Sequence, residues 1–65
     1  MKGPRLLDRF LRGVGDVRAW AKKHKLDEST LSRLRRGERN PSFPMASRIA
    51  KATRGKVYVG AWAES

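Results

Sequence analysis

Residues Val17–Gly37 read VRAWAKKHKLDESTLSRLRRG, and the fold is decided there. Val17, Trp20, Ala21 and His24 recur at i, i+3, i+4 and i+7, the spacing that lines one face of a 3.6-residue helix. Asp16 just ahead of them is a good N-cap, because its short carboxylate can accept from the free amides of a first turn. A helix is therefore predicted over Val17–His24. Asp27 can cap the next one in the same way, with Leu26 and Leu31 at the N′ and N4 positions of a hydrophobic staple. Leu31 and Leu34 then face inward, and Gly37 supplies the stop, giving a helix over about residues 28–36. Two short amphipathic helices with a tight connection predict a helix-turn-helix.

Working outward, GPRLLDRFLRGVG suggests a first helix from Pro4 to about Arg12, since proline's fixed φ suits a first helical turn. Leu6, Leu7, Phe10 and Leu11 form its apolar side, and Gly13 and Gly15 interrupt the pattern. Downstream, ERNPS leads to a fourth helix from Phe43 or Pro44 to Thr53, with Met45, Ala46, Ile49 and Ala50 inward and Gly55 ending it. The tail is ambiguous: Val57, Tyr58 and Val59 favour an extended strand by propensity, yet a lone short strand lacks a partner in this chain. Gly60 and the short run favour a coil or turn, with Ala61 and Trp62 packing on the core. The expectation is an all-α fold of about four to five helices with a short extended or helical tail, and one domain over residues 1–65.

A chain of 65 residues buries only about 60% of the surface its unfolded form exposes, so a small core and no enclosed catalytic cleft are expected. The absence of cysteine removes disulfides and thiolate chemistry, and Ser29, Thr30 and Ser32 lack a paired base and acid for nucleophilic catalysis. His24 has no second ligand spaced to join it. No enzyme, cofactor or metal is expected. No apolar run approaches the ~20 residues of a membrane span, and the N-terminal residues are unlike a secretory signal, so a cytoplasmic protein without a membrane or small-molecule partner is expected. Sixteen Lys and Arg against six acids give a net charge of +10, which attracts a polyanion without saying which one.

Position narrows that choice. Cations cluster in AKKHK and RLRRGER, whereas Asp16, Asp27 and Glu28 fall at helix starts favoured by the macrodipole. By helical period, Glu28, Ser29, Ser32, Arg33 and Arg36 share one stripe opposite Leu31 and Leu34. A helix fits the major groove of duplex DNA, and its N-terminal half reaches the base edges.

Aligned on Ala21, the segment Val17–Arg36 resembles the helix-turn-helix of the phage Cro and repressor family, also called the xenobiotic-response-element family. Ala21 stands where that family keeps a small residue at a close helix crossing, and Trp20, Leu26, Leu31 and Leu34 occupy its core positions. The match extends through Gly37, RNPS and ASRIAKATRGKV, as in small Cro-like repressors. Three positions depart from the pattern: Lys25 replaces a usual glycine, His24 an apolar residue, and Val17 a frequent glutamine. If the backbone at Lys25 is left-handed, a side chain there costs on the order of 1 kcal/mol.

The resemblance implies an all-α, lambda-repressor-like domain that regulates transcription by placing its third helix on an operator. Residue by residue it makes Glu28, Ser29, Ser32 and Arg33 base-contact candidates, Arg33 suiting the two acceptors of guanine and Glu28 the amino donor of cytosine. Phosphate contacts are expected from Arg18, Arg36, Arg39, Asn40 and Ser42, with Lys22 and Lys23 in reserve and Arg35 either joining them or lying along its helix. A homodimer, at least on DNA, follows from the weakness of a half-site held by one short helix. Two other readings stay open: an antitoxin-like autoregulator gripping a partner protein through Tyr58, Val59 and Trp62, and a basic RNA-binding module. Trp20 and Trp62 are read as core anchors.

Overall fold

Lone glycine and proline at residues 3 and 4 would ordinarily delay a helix, yet here they lie inside one. The computed structural model describes residues 2–63, and its first helix, α1, runs Lys2–Arg12. The start is two residues earlier than proline's preference suggests, because Gly3 and Pro4 are themselves buried. A Cβ at Gly3 would overlap the six-membered ring of Trp62, so glycine is what lets the indole pack against the helix here. Leu7 and Leu11 point into the core while Leu6 and Phe10 stay half-buried at its edge.

The helices α2 (Val17–Lys23) and α3 (Glu28–Arg35) follow, then α4 (Phe43–Ala52) and a closing 3-10 turn, Val59–Trp62. Asp16 caps α2 as expected, accepting from the Ala19 amide at 3.1 Å. Asp27 does not cap α3 with its side chain: its carboxylate accepts the Thr30 hydroxyl at 2.9 Å instead. At α4, Ser42 accepts from the Met45 amide at 3.4 Å.

Three helices end the same way. After α2, the Leu26 amide donates to the Ala21 carbonyl at 2.7 Å and the Lys25 amide to Lys22 at 3.1 Å. After α3, Glu38 donates to Arg33 at 3.0 Å and Gly37 to Leu34 at 3.1 Å; after α4, Gly55 donates to Ala50 at 2.8 Å and Arg54 to Lys51 at 3.2 Å. Each pair is a Schellman closure, which needs a left-handed residue at the turn. Gly37 takes it freely at φ 76°, whereas Lys25 (57°) and Arg54 (56°) carry side chains there. Gly55 ends α4 through its amide, one residue after the left-handed Arg54, and the helix itself stops at Ala52 with Thr53 as its cap, one residue short of the expected Thr53. Likewise α2 ends at Lys23, with His24 capping it, and α3 at Arg35. Because Lys25 is exposed and strained, Lys25→Gly is expected to raise unfolding stability by about 0.5–1 kcal/mol, read as a higher urea midpoint at unchanged m-value.

The core joins Leu7, Leu11, Ala21, Leu26, Leu31, Leu34, Ala46, Ile49, Val57 and Trp62. Leu26 and Leu31 are both in it, as the staple requires. Trp20 is not a central anchor; it is half-buried at the rim, its ring 5.4 Å from Phe10 and 4.9 Å from His24. Ala21 beside it is 1% exposed and lies in the core. His24 is correspondingly half-buried against Trp20.

No strand occurs among the described residues, and the tail packs as a turn. Thr53 organises it. Its hydroxyl donates to the Ile49 carbonyl at 2.8 Å and accepts from the Val57 amide at 3.1 Å, so one buried side chain satisfies two backbone groups. That bond draws Val57 fully inside and directs Ala61 and Trp62 back to α1 and α4.

Candidate nucleic-acid interface

Around α3 the burial is one-sided. Leu31 and Leu34 are buried, Thr30 and Arg35 are half-buried, and Glu28, Ser29, Arg33 and Arg36 are exposed with Ser32 half-buried between them. The base-contact candidates therefore form one continuous stripe along a helix of 8 residues. Arg36, beyond the helix end, continues it as the cap.

What fixes the stripe's direction is an ion-pair node. Asp8 on α1 receives Arg35 Nη2 at 2.8 Å and Arg35 Nε at 3.0 Å on one oxygen, and Arg12 Nε at 2.9 Å on the other. Arg35 is thus turned toward α1 and is not aligned with the phosphate candidates. The pair spans 27 residues of sequence and ties α3 to α1. Asp8 was not singled out by sequence reasoning; an isolated acid in RLLDRFLR was the available signal, and only its Arg12 partner at i+4 is local.

The Arg35 hydrogen bond, helped by the charges of Arg12 and Arg35, holds the Asp8 carboxyl below its ordinary 3.8 against a smaller opposing effect of desolvation. A carboxylate whose folded pKa is depressed stabilises the fold above its unfolded pKa and loses that contribution as pH falls through the folded one. Asp8→Asn is therefore expected to lower the melting temperature at neutral pH, and the two proteins should converge once pH falls well below 3.8. A gap in melting temperature that persisted at acid pH would show packing, not charge, to be responsible.

At the other end of α3, a depression of about 360 Å³ brings Arg18 and Lys22 of α2 together with Asp27, Glu28 and Ser29. Asp27 is held below its ordinary 3.8 mainly by the Thr30 hydroxyl, with weaker help from nearby amides and Arg33. A second depression of about 230 Å³, between α1, α2 and α3, is lined by Glu28 and Ser32 among others. Glu28 borders both, at the point where α3 begins.

The phosphate candidates differ in what already engages them. Arg18 and Arg39 are exposed, as is Asn40 in the α3–α4 connection. Arg36 is already engaged, its Nε 2.8 Å from Glu38 Oε2 and 3.3 Å from the Ser32 carbonyl. The Ser42 oxygen accepts from Met45 as a helix cap, which leaves its hydroxyl proton free to donate outward. Among the described residues, no group of three or more His, Cys, Asp or Glu is placed to hold a metal ion, and no helix is long and apolar enough to cross a membrane.

No protein-family model, curated protein or solved structure matches this chain.

Proposed function

We infer that this protein is a sequence-specific double-stranded DNA-binding regulator of transcription, working as a small Cro-like repressor would, with α3 in the major groove of an operator. The observation that carries this reading is the α3 stripe. Glu28, Ser29, Ser32 and Arg33 mix acceptors, hydroxyls and a guanidinium on an outward face whose opposite side is locked by Leu31, Leu34 and the Asp8–Arg35 pair. That is the chemistry base edges demand, held at a fixed angle. Arg18 and Lys22 lie beside the start of α3, and with the exposed Arg39 and Asn40 they are the donors proposed for the phosphate backbone, which sets register without reading sequence. A net charge of +10 adds steering toward the duplex.

A homodimer on DNA belongs to the same proposal, since two copies related by a two-fold axis would read a palindrome whose half-sites lie about one helical turn apart. Trp62 is buried and Trp20 packs on Phe10, so neither tryptophan offers an open stacking platform, whereas Phe43 and Tyr58 are exposed; RNA is therefore weighed directly against duplex DNA in the test. Selection from a pool of random duplexes tests the proposal. It should yield a short, roughly palindromic site, bound with a salt dependence of about 0.9 log units per phosphate neutralised and preferred over structured RNA. Recovery of no preferred sequence would defeat it.

A further inference from the structure

The flank of α1 away from α3 carries a recess that the DNA-reading stripe does not use. Leu6, Phe10 and Val14 form its floor, half-buried and packed on the core from outside, and Arg9 and Lys56 stand at its rim in a depression of about 400 Å³. A second depression of about 280 Å³ shares Leu6 and Arg9 with the first and adds Arg5. Together they make one groove along α1, about 17 Å from Lys2 to Gly13 at 1.5 Å per residue, or some three helical turns. At 100° per residue Leu6 lies about 160° around the helix from Asp8, so the groove faces away from the ion pair that ties α1 to α3.

We propose that this groove docks an acidic amphipathic helix of a partner protein, whose apolar side covers Leu6, Phe10 and Val14 while its carboxylates meet Arg5, Arg9 and Lys56. The charge pattern selects this occupant. No acidic residue lines either depression, so the rim is of one sign throughout. A second copy of the chain is a poor match: it brings a net charge of +10, and among the acids of its described residues Asp8 and Glu38 are held in ion pairs, Asp16 and Asp27 accept hydrogen bonds at helix starts, and Glu28 is a single carboxylate against Arg5, Arg9 and Lys56. Duplex DNA supplies negative charge but little apolar surface to cover the floor. A bilayer is entered by protruding apolar groups, whereas these three side chains sit in a recess. A helix laid in a groove with anchors at i and i+4 satisfies both the floor and the rim. The inference does not depend on DNA recognition, because no groove residue belongs to the α3 stripe.

The experiment uses the full chain and a synthetic amphipathic peptide of about fifteen residues, with Leu and Phe at i, i+4 and glutamates on both flanks. The control peptide has the same composition with the apolar spacing scrambled; vesicles of anionic lipid and random-sequence duplex DNA complete the set. Backbone amide shifts should appear at Leu6, Phe10 and Val14 with the ordered peptide, and the scrambled one should bind at least about tenfold more weakly. Arg9→Glu combined with Lys56→Glu, both exposed positions, should weaken the ordered peptide about tenfold with melting temperature unchanged. The proposal is overturned if the ordered peptide fails to bind, if the scrambled peptide binds equally, if charge reversal changes nothing, or if only vesicles or duplex perturb the groove.

Discussion

Leu34→Ala is expected to remove about half of the protein's stability. Leu34 is 0% exposed, and its side chain joins α3 to the rest of the core. Truncating a buried leucine removes its transfer free energy and leaves a cavity, at about 2–5 kcal/mol. A chain of 65 residues has a total stability of about 3–10 kcal/mol by the usual scaling, so a single truncation consumes a large share of it. The comparison is Phe43→Ala, which deletes a larger apolar side chain that is 75% exposed and should change stability by no more than about 0.5 kcal/mol. Urea titrations of the two variants measure the difference. A Leu34→Ala midpoint close to the parent's would mean that the core collapses around the deletion and that α3 is held chiefly by its ion pair.

The contrast between those two residues also explains what could be read from the chain. Leu34 belongs to a periodic set, Leu31 and Leu34 opposite Ser32 and Arg33, and periodicity reports burial when a helix has a single wet face. Asp16 and Gly37 were equally legible, because a cap and a Schellman stop are completed by neighbours within one or two turns. Phe43 is apolar but sits at the first turn of α4, where nothing covers it. Trp20 illustrates the same limit: its helical position predicts an inward side chain, yet it is half-buried at the rim beside Phe10 and His24.

Long-range partners were invisible for a different reason. Nothing in the arginine run RLRRG distinguishes Arg35 from Arg33 or Arg36, yet Arg35 is bound to Asp8 across 27 residues and the other two are exposed. The tail depended on Thr53 in the same way. Val57–Val59 has strand propensity, but a hydroxyl one helix-end away captures the Val57 amide, and the space left by the missing Cβ of Gly3 admits the Trp62 ring. β-propensity yields to tertiary packing where a segment has no strand to pair with.

The second large effect concerns Arg33 and the proposed reading of DNA. Arg33→Ala is expected to lower affinity for the selected operator by about 1–3 kcal/mol, roughly 5- to 150-fold, with preference lost at one guanine position and little change elsewhere. Stability should move by less than about 0.5 kcal/mol, because Arg33 is exposed and its backbone closure to Glu38 survives any side chain. Arg33→Lys separates charge from geometry: an ammonium retains the attraction to phosphate but cannot match the two guanine acceptors as a planar fork does, so general affinity should persist while discrimination falls. Arg39→Ala, at the exposed α3–α4 connection, should behave in the opposite way, weakening all sequences alike and reducing the salt slope by about 0.9. Competition titrations of the three variants against single-base operator variants resolve these patterns. If Arg33→Ala retained full discrimination while Arg39→Ala lost it, the contact to base edges would lie outside α3, in the connection that follows it.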